Sequence, residues 1–357
     1  MPFKKIIEQG LKAGASDIHL REEVIPRMRL DGELYTMETG GFIPTEESLK
    51  VFFFEMLTKD QIERFEKNHE LDFSFTLPDL CRMRINLYVQ QGKFCGAMRI
   101  IPGHIPTMEE IYLPKACYTF VNINKGLVLV TGPTGCGKST TLAAMIDYIN
   151  SNRRVHILTI EDPIEFVYTE KLATVSQREI YQDTKTFLAA LRHSFRQDPD
   201  VVLMGEMRDL ETMQTAITLA ETGHLIFSTL HTGEATQTVT RIIDSFPPHQ
   251  QAQVRMQLSI SLEGIISQLL LPLKGRKGRV AAREVLICTR AIRNLIRENK
   301  ITQISSAIQT GVEEGMITMN HSLGHLFEKG IISYETALGS SWDKKEFIAK
   351  YGAKARD

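Results

Sequence analysis

The eight residues Gly132-Pro133-Thr134-Gly135-Cys136-Gly137-Lys138-Ser139 satisfy G-x-x-x-x-G-K-[ST] at every fixed position. Glycines let backbone N–H groups turn inward toward a phosphate chain, and a helix N-terminus adds partial positive charge. On that pattern Gly132, Thr134, Gly135, Cys136, Gly137, Lys138, Ser139 and Thr140 would cradle a nucleoside triphosphate. Lys138 would reach the outer phosphates, and the Ser139 hydroxyl would bind Mg²⁺. An apolar run, Leu127 to Val130, precedes the loop, and a helix-forming run, Thr140 to Ile149, follows it. That is the strand–loop–helix context the motif needs. The cofactors expected are ATP and Mg²⁺.

Hydrolysis needs groups that hold the metal and orient water. Many NTPases of this type end a second apolar strand in Asp, but here Val201 to Met204 runs into Gly205-Glu206. The metal is then held mainly by Ser139 and phosphate oxygens, with Glu206 acting through water. A second acidic cluster, Glu161-Asp162-Pro163-Ile164-Glu165, follows the apolar run Val155 to Ile160. In open α/β sheets ligands sit outside the carboxyl ends of the strands, so both clusters can converge on the terminal phosphate. Glu165 and Glu206 are read as chemistry. The residues alone leave open which of them positions the water. For Asp162 a catalytic role and a cap on a following helix or turn stay equally open.

Two histidines bracket one further strand-like run, His224 before it and His231 after it. Seven residues at ~3.3 Å each put them roughly 23 Å apart, so one metal ion cannot bridge them. His231 falls at the carboxyl end, where it would sense phosphate or stabilise a transition state; a structural role stays open beside that. His224 falls at the other end, against a neighbouring element.

These groups need a scaffold. Strand-length apolar runs alternate with helical segments from about residue 116, which argues for a largely parallel sheet covered on both faces. Residues 1–101 mix short strands with helices as an α+β domain. Thr45-Glu46-Glu47-Ser48 opens a helical pattern over 45–70, and Arg82 to Ile101 reads as paired strands turning at Gln91-Gly92. Arg27 to Leu30 reads as a strand entering an Asp31-Gly32 turn. Residues 102–115, opening on Pro102-Gly103, form the linker. Residues 116–357 form the larger domain, mostly helical from about residue 250.

Composition bounds the rest. The chain has 357 residues, 43% hydrophobic and 24% charged, and 42 basic against 43 acidic residues give a net charge of −1. That is enough apolar material for about two domains, and it excludes disorder and a disulfide scaffold. The five cysteines are odd in number with no C-x-x-C pair, pointing to a reducing cytoplasm. No signal peptide is visible, and the longest apolar stretch, Gly264 to Leu273, falls far short of the ~20 residues of a membrane span.

In order along the chain, the phosphate loop, the acidic box Glu161 to Glu165, Gly205-Glu206-Met207-Arg208-Asp209 and the histidine box Glu221 to His231 resemble the secretion-superfamily ATPases. Within them the chain is similar to the PilT-type retraction ATPases of type IV pili. Ala291-Ile292-Arg293-Asn294-Leu295-Ile296-Arg297-Glu298 resembles the motif that marks that group, and the likeness runs from Ser16-Asp17-Ile18-His19-Leu20 to about residue 340. Extension and type II secretion relatives usually carry a four-cysteine zinc insert where Pro272 to Arg279 here holds no cysteine.

The resemblance implies a RecA-like P-loop ATPase domain, a smaller PAS-like N-terminal domain and a helical C-terminal segment. It also implies a homohexamer with nucleotide between the two domains. It assigns Glu165 to polarising the attacking water and Glu206 to the magnesium environment. Family members contact phosphate through N-terminal-domain arginines, and Arg84 and Arg99 occupy the matching positions. The implied work is ATP-driven pilus retraction and twitching motility. The partner would be an inner-membrane pilus platform protein, pilin being engaged only indirectly, and no nucleic acid is expected. The place is the cytoplasm, peripheral at the inner membrane.

One charge run needs weighing against these expectations. From Lys274 to Lys300 nine basic residues face Glu284 and Glu298 alone, a local +7. Such a run could meet nucleic acid, anionic lipid or an acidic protein. Helical spacing puts Ile292, Leu295 and Ile296 on a packed face, with Arg293 and Arg297 as i,i+4 neighbours free for a partner. The rival readings are a related pilus extension or type II secretion ATPase, an accessory retraction paralogue, a nucleic-acid translocase, and a scaffold that binds ATP without cleaving it.

Overall fold

A computed structural model describes residues 2–355 except Asp31, Asp79 and Pro102. Asp31 of the expected Asp31-Gly32 turn and Pro102 of the expected linker therefore lie outside the described residues. The chain divides into two compact units. One comprises Met1–His104 with Pro163–Val167, the other Ile105–Asp162 with Tyr168–Asp357.

In the first unit six antiparallel strands form one sheet: β1 (Asp17–Arg21), β2 (Val24–Leu30), β3 (Glu33–Thr36), β4 (Glu70–Leu77), β5 (Cys81–Gln90) and β6 (Lys93–Ile101). Their order is β3-β2-β1-β6-β5-β4. Period-2 alternation buries Met83, Ile85 and Leu87 of β5 and Ile18 and Leu20 of β1 on one face. Helices Pro2–Ala13 and Glu46–Phe54 supply aromatic partners to the same core, Phe3 stacking on Phe52 at 4.4 Å. Phe53 is fully buried, worth roughly 2–3 kcal/mol, and its ring fits because residue 96 is glycine. A Cβ there would stand 2.3 Å from that ring.

The helical pattern over 45–70 resolves into two helices, Glu46–Phe54 and Lys59–Asn68. Each starts at its own capping box, Thr45 with Ser48 and Thr58 with Gln61. A second cap inside a periodic stretch ends one helix and starts another. Between β5 and β6 the turn is Gln91-Gly92, both at positive φ, as a two-residue hairpin loop requires.

The second unit carries seven strands: β7 (Gly126–Thr131), β8 (His156–Glu161), β9 (Thr174–Glu179), β10 (Val201–Met204), β11 (Leu225–Leu230), β12 (Leu262–Pro272) and β13 (Arg279–Ile287). Their order is β13-β12-β7-β11-β10-β8-β9. All neighbours are parallel except β12 with β13. Every residue of β7, β10 and β11 is buried, the signature of strands covered on both faces. Because β7, β8, β10 and β11 run the same way, everything just after them gathers along one edge of the sheet.

Three features depart from the sequence reading. β9 escaped it because Thr-Val-Ser-Gln-Arg-Glu is a polar strand at the sheet edge. The region read as mostly helical from about residue 250 does begin with a helix, Pro248–Ser261, and ends with five more from Arg290 onward. Between them lie β12 and β13, and the Gly264–Leu273 apolar stretch is β12 itself. A strand buried on both faces has no alternation to betray it. Finally, the segment after His104 carries buried residues of its own, Met108 and Leu113, which the linker reading did not anticipate.

Candidate functional site

The phosphate loop leaves β7 and enters the helix Lys138–Asn152. Gly132, Gly135 and Gly137 all have positive φ, and at Gly132 a side chain would collide with the Gln268 carbonyl and the Cys136 Sγ. Glycine is required there on both counts. Gly137 is the N-cap in a left-handed conformation and offers no side-chain cap bond, so no side chain competes for the first-turn N–H groups. Lys138 Nζ lies at the rim of the loop, donating to the carbonyls of Gly132 (2.8 Å) and Pro133 (3.1 Å). Ser139 is exposed at the helix start, with Thr140 beside it. Burial pushes the Cys136 thiol pKa up against the pull of Lys138, so Cys136 fills space behind Gly132 as a neutral thiol.

Two other strand ends come to the same place. The Nζ of Lys138 stands 3.3 Å from Nδ1 of His231, at the end of β11. His231 Nε2 meets Glu206 Oε1 at 3.0 Å, just past the end of β10. Glu206's other oxygen accepts from Arg208 Nε at 2.9 Å. The loop bearing Glu206 is stapled between neighbours: Gly205 N donates to Ile160 O, and Thr229 Oγ1 donates to Gly205 O at 2.7 Å. Lysine, histidine and carboxylate thus form a chain across three parallel strands. Arg208 is a member that sequence reasoning did not single out. Its signal was an arginine two residues past the carboxylate at that strand's tip.

Glu161 ends β8, accepting from Thr159 Oγ1 (2.7 Å) and Gln177 Nε2 (3.2 Å). Asp162 follows in a bend with no helix between it and β9, which removes the helix-cap reading. Glu165 is exposed, within the Pro163–Val167 segment that clusters with the first unit, where Arg82 Nε donates to Ile164 O at 3.3 Å. His224 lies at the opposite end of β11, its Nδ1 3.1 Å from Leu219 O and its ring edge-on to Phe195. It belongs to the packing of its own end of the sheet.

Arg84 and Arg99 are direct cross-strand partners on β5 and β6. The row continues from Arg99 to Asp17 on β1 and from there to Arg29 on β2. Arg99 Nε donates to Asp17 Oδ1 at 2.9 Å, and Arg84 Nε stands 4.0 Å from Asp72. Burial would raise the Asp17 pKa, but hydrogen bonds from Ser16 and Arg99 and the Arg99 charge outweigh it and hold it low. Like charges directly opposite on a sheet are unfavourable, and Asp17 and Asp72 offset part of that repulsion.

The basic run does not form one arm. Arg283 on β13 is buried, its Nη1 donating to the carbonyls of Ile111 (3.0 Å) and Tyr112 (3.2 Å), and burial brings its pKa down to about 10. Arg293, expected to be free for a partner, donates instead to the carbonyls of Ser259 (3.1 Å) and Ile260 (2.7 Å) and to Glu263 Oε2 (2.8 Å). It satisfies the carboxyl end of the helix Pro248–Ser261, a favourable place for a cation. Arg297 is exposed and bonds Asn294 one turn earlier. The apolar face of this helix, Arg290–Arg297, packs as expected, with Ile292 and Ile296 fully buried.

The donors at the loop fit ATP with Mg²⁺. Helix-terminal N–H groups and an ammonium suit a polyphosphate, and a hydroxyl suits a hard cation. Among the described residues no group of three or more His, Cys, Asp or Glu could hold a metal by itself. A magnesium shell here would be completed by phosphate oxygens and water.

The family profile described as Type II/IV secretion system protein matches residues 113–337. A type IV pilus retraction ATPase, PilT of Pseudomonas aeruginosa, is 47% identical over 339 residues, covering 94% of this chain and 97% of that protein. The chain belongs to the PilT-type retraction ATPases. A twitching motility protein of Neisseria gonorrhoeae is 50% identical over 312 residues, 87% of this chain and 83% of that one. A crystal structure of the pilus retraction motor PilT with bound ADP superposes with a TM-score of 0.90 at 46% identity, covering 96% of this chain and 97% of that one. The α/β fold with its smaller N-terminal unit is the fold of these retraction ATPases. Where extension relatives were expected to carry a zinc insert, this retraction ATPase turns from β12 to β13 through Leu273 to Gly278. Among its described residues no helix is long and apolar enough to cross a membrane.

Proposed function

We propose that this retraction ATPase hydrolyses ATP at the Lys138 loop and uses the energy to withdraw a type IV pilus, acting as a homohexamer on a platform protein at the inner membrane. The observation that carries the reading is the Lys138–His231–Glu206 chain across the ends of β7, β11 and β10. It brings a phosphate-binding ammonium, an imidazole and a carboxylate to one edge of the sheet. Lys138 and the loop N–H groups hold the triphosphate. Ser139, with phosphate oxygens and Glu206 through water, would hold Mg²⁺, which neutralises charge on the transferring phosphoryl group.

His231 ties the carboxylate to the lysine, so a change at the outer phosphate reaches both the β10 and β11 loops. Glu165 is the residue proposed to polarise the attacking water. Arg84 and Arg99 supply the guanidinium charge; such groups add 10³–10⁵ in rate, about 4–7 kcal/mol of barrier. Motion of one unit against the other would then do the work. Pilin is moved indirectly, through the platform, and the protein works in the cytoplasm.

The test is Lys138→Ala in purified protein and in cells. Turnover should fall at least a hundredfold, and the cells should become excessively piliated and lose twitching. Undiminished ATP turnover would remove the assigned chemistry, while bald cells would point to an extension motor.

A further inference from the structure

Gln268 is buried in the middle of β12, a strand away from the phosphate loop's own, and the reading above gives it no part. Both ends of its side-chain amide are hydrogen-bonded. Nε2 donates to the Cys136 carbonyl at 2.8 Å, and Oε1 accepts from Thr141 Oγ1 at 3.0 Å. The Cys136 carbonyl can only accept, so it fixes which end of the amide faces the loop. A Cβ on Gly137 would stand 3.4 Å from the same Nε2, and a Cβ on Gly132 would stand 2.3 Å from the Gln268 backbone oxygen. One residue therefore touches the start of the loop, its last peptide and the first turn of the helix behind it.

The geometry points to Gln268 as a positioning residue that locks the Cys136–Gly137 peptide with its N–H turned into the phosphate cradle. The peptide is planar and trans, so its C=O and N–H point opposite ways. Pinning the Cys136 carbonyl back against β12 aims the Gly137 N–H forward. Gly137 has no Cβ to resist rotation of that peptide, so the restraint must come from outside the loop. The Thr141 bond holds the helix start to the same amide, so loop and helix N-terminus move as one body. Next to it Thr131 Oγ1 donates to Ser267 Oγ at 2.9 Å, registering β7 on β12 just before the loop.

The inference rests on the loop being the ATP site, and the experiment separates the two. Mg-ATP affinity and thermal melting are measured on the full chain for wild type, Gln268→Met, Gln268→Glu and Lys138→Ala. In Gln268→Met the affinity should weaken about tenfold and the ATP-induced rise in Tm should shrink, beyond any fall in the Tm of the free protein. Gln268→Glu should bind weakly at pH 8 and recover toward wild type near pH 5.5, because only a protonated carboxyl can donate to the Cys136 carbonyl. A packing role would lower Tm and leave that pH dependence at the wild-type course. Wild-type affinity in Gln268→Met, or a Gln268→Glu to wild-type ratio that does not change with pH, overturns the inference. Should Gln268→Met not fold, the pH ratio decides alone. Wild-type affinity in Lys138→Ala would instead sink the nucleotide reading and the Gln268 role with it.

Discussion

Two pairs of arginines stood out as able to reach beyond the chain, Arg84 with Arg99 near the N-terminus and Arg293 with Arg297 near the C-terminus. The fold treats them differently. Arg84 and Arg99 face each other across β5 and β6, Asp17 and a distant Asp72 being the carboxylates beside them, and the Arg99 side chain is 66% exposed. Arg293 is only 25% exposed and holds two carbonyls and Glu263. A guanidinium that closes a helix end is committed to structure, while Arg84 and Arg99 are the ones proposed to meet phosphate. Counting basic residues along a segment cannot separate the two. The acceptors around each one can.

The sharpest way to break this contrast is Arg99→Ala. Turnover should fall 10²–10³-fold, about 3–4 kcal/mol, while loss of the Asp17 bond, partly offset by relief of the facing Arg84, costs the fold only on the order of 1 kcal/mol. Loss of Tm without loss of turnover would make Arg99 structural. Arg293→Ala should do the reverse. Two helix-end carbonyls and the Glu263 carboxylate lose their donor, costing about 2 kcal/mol in denaturant unfolding, while turnover per folded molecule stays within about twofold.

A third kind of charge is the buried Glu284, next to Arg283. Its Oε1 accepts from Ala235 N at 2.9 Å at the start of the helix Ala235–Asp244, and burial raises its pKa to about 7. A carboxyl raised in the folded state binds more protons there than when unfolded. Its stabilisation is present below the ordinary carboxylate range and fades as pH climbs toward 7, then stays flat. Glu284→Gln keeps an acceptor for Ala235 and cannot ionise. Its stability should exceed wild type by roughly 3 kcal/mol at pH 8, with most of the gap gone by pH 5. A gap independent of pH would show that Glu284 is ionised throughout.

Much of the site could be read directly because it is local in sequence. The loop's glycines, Lys138 and Ser139 are contiguous, and the run before them is an unmistakable buried strand. Glu206 and His231 could be placed at strand ends because parallel strands bring their carboxyl ends to one edge. What could not be read depends on partners distant in sequence. Arg293 meets carbonyls more than thirty residues away, and Gln268 meets Cys136 across 132 residues. β12 hid because both its faces are buried, and β9 hid because neither looks buried. The break at residues 55–58 was written in Thr58 and Gln61, but a cap inside an amphipathic run is easily read past.

The central claim is that the carboxylate tied to His231 takes part in cleaving a triphosphate held by the Lys138 loop. Glu206→Gln keeps the shape of that side chain and removes its charge. The direct measurement is steady-state phosphate release by this variant, alongside its ATP affinity. Turnover at least a hundredfold below wild type with ATP affinity within a few-fold is the predicted result. Turnover equal to wild type would contradict the account.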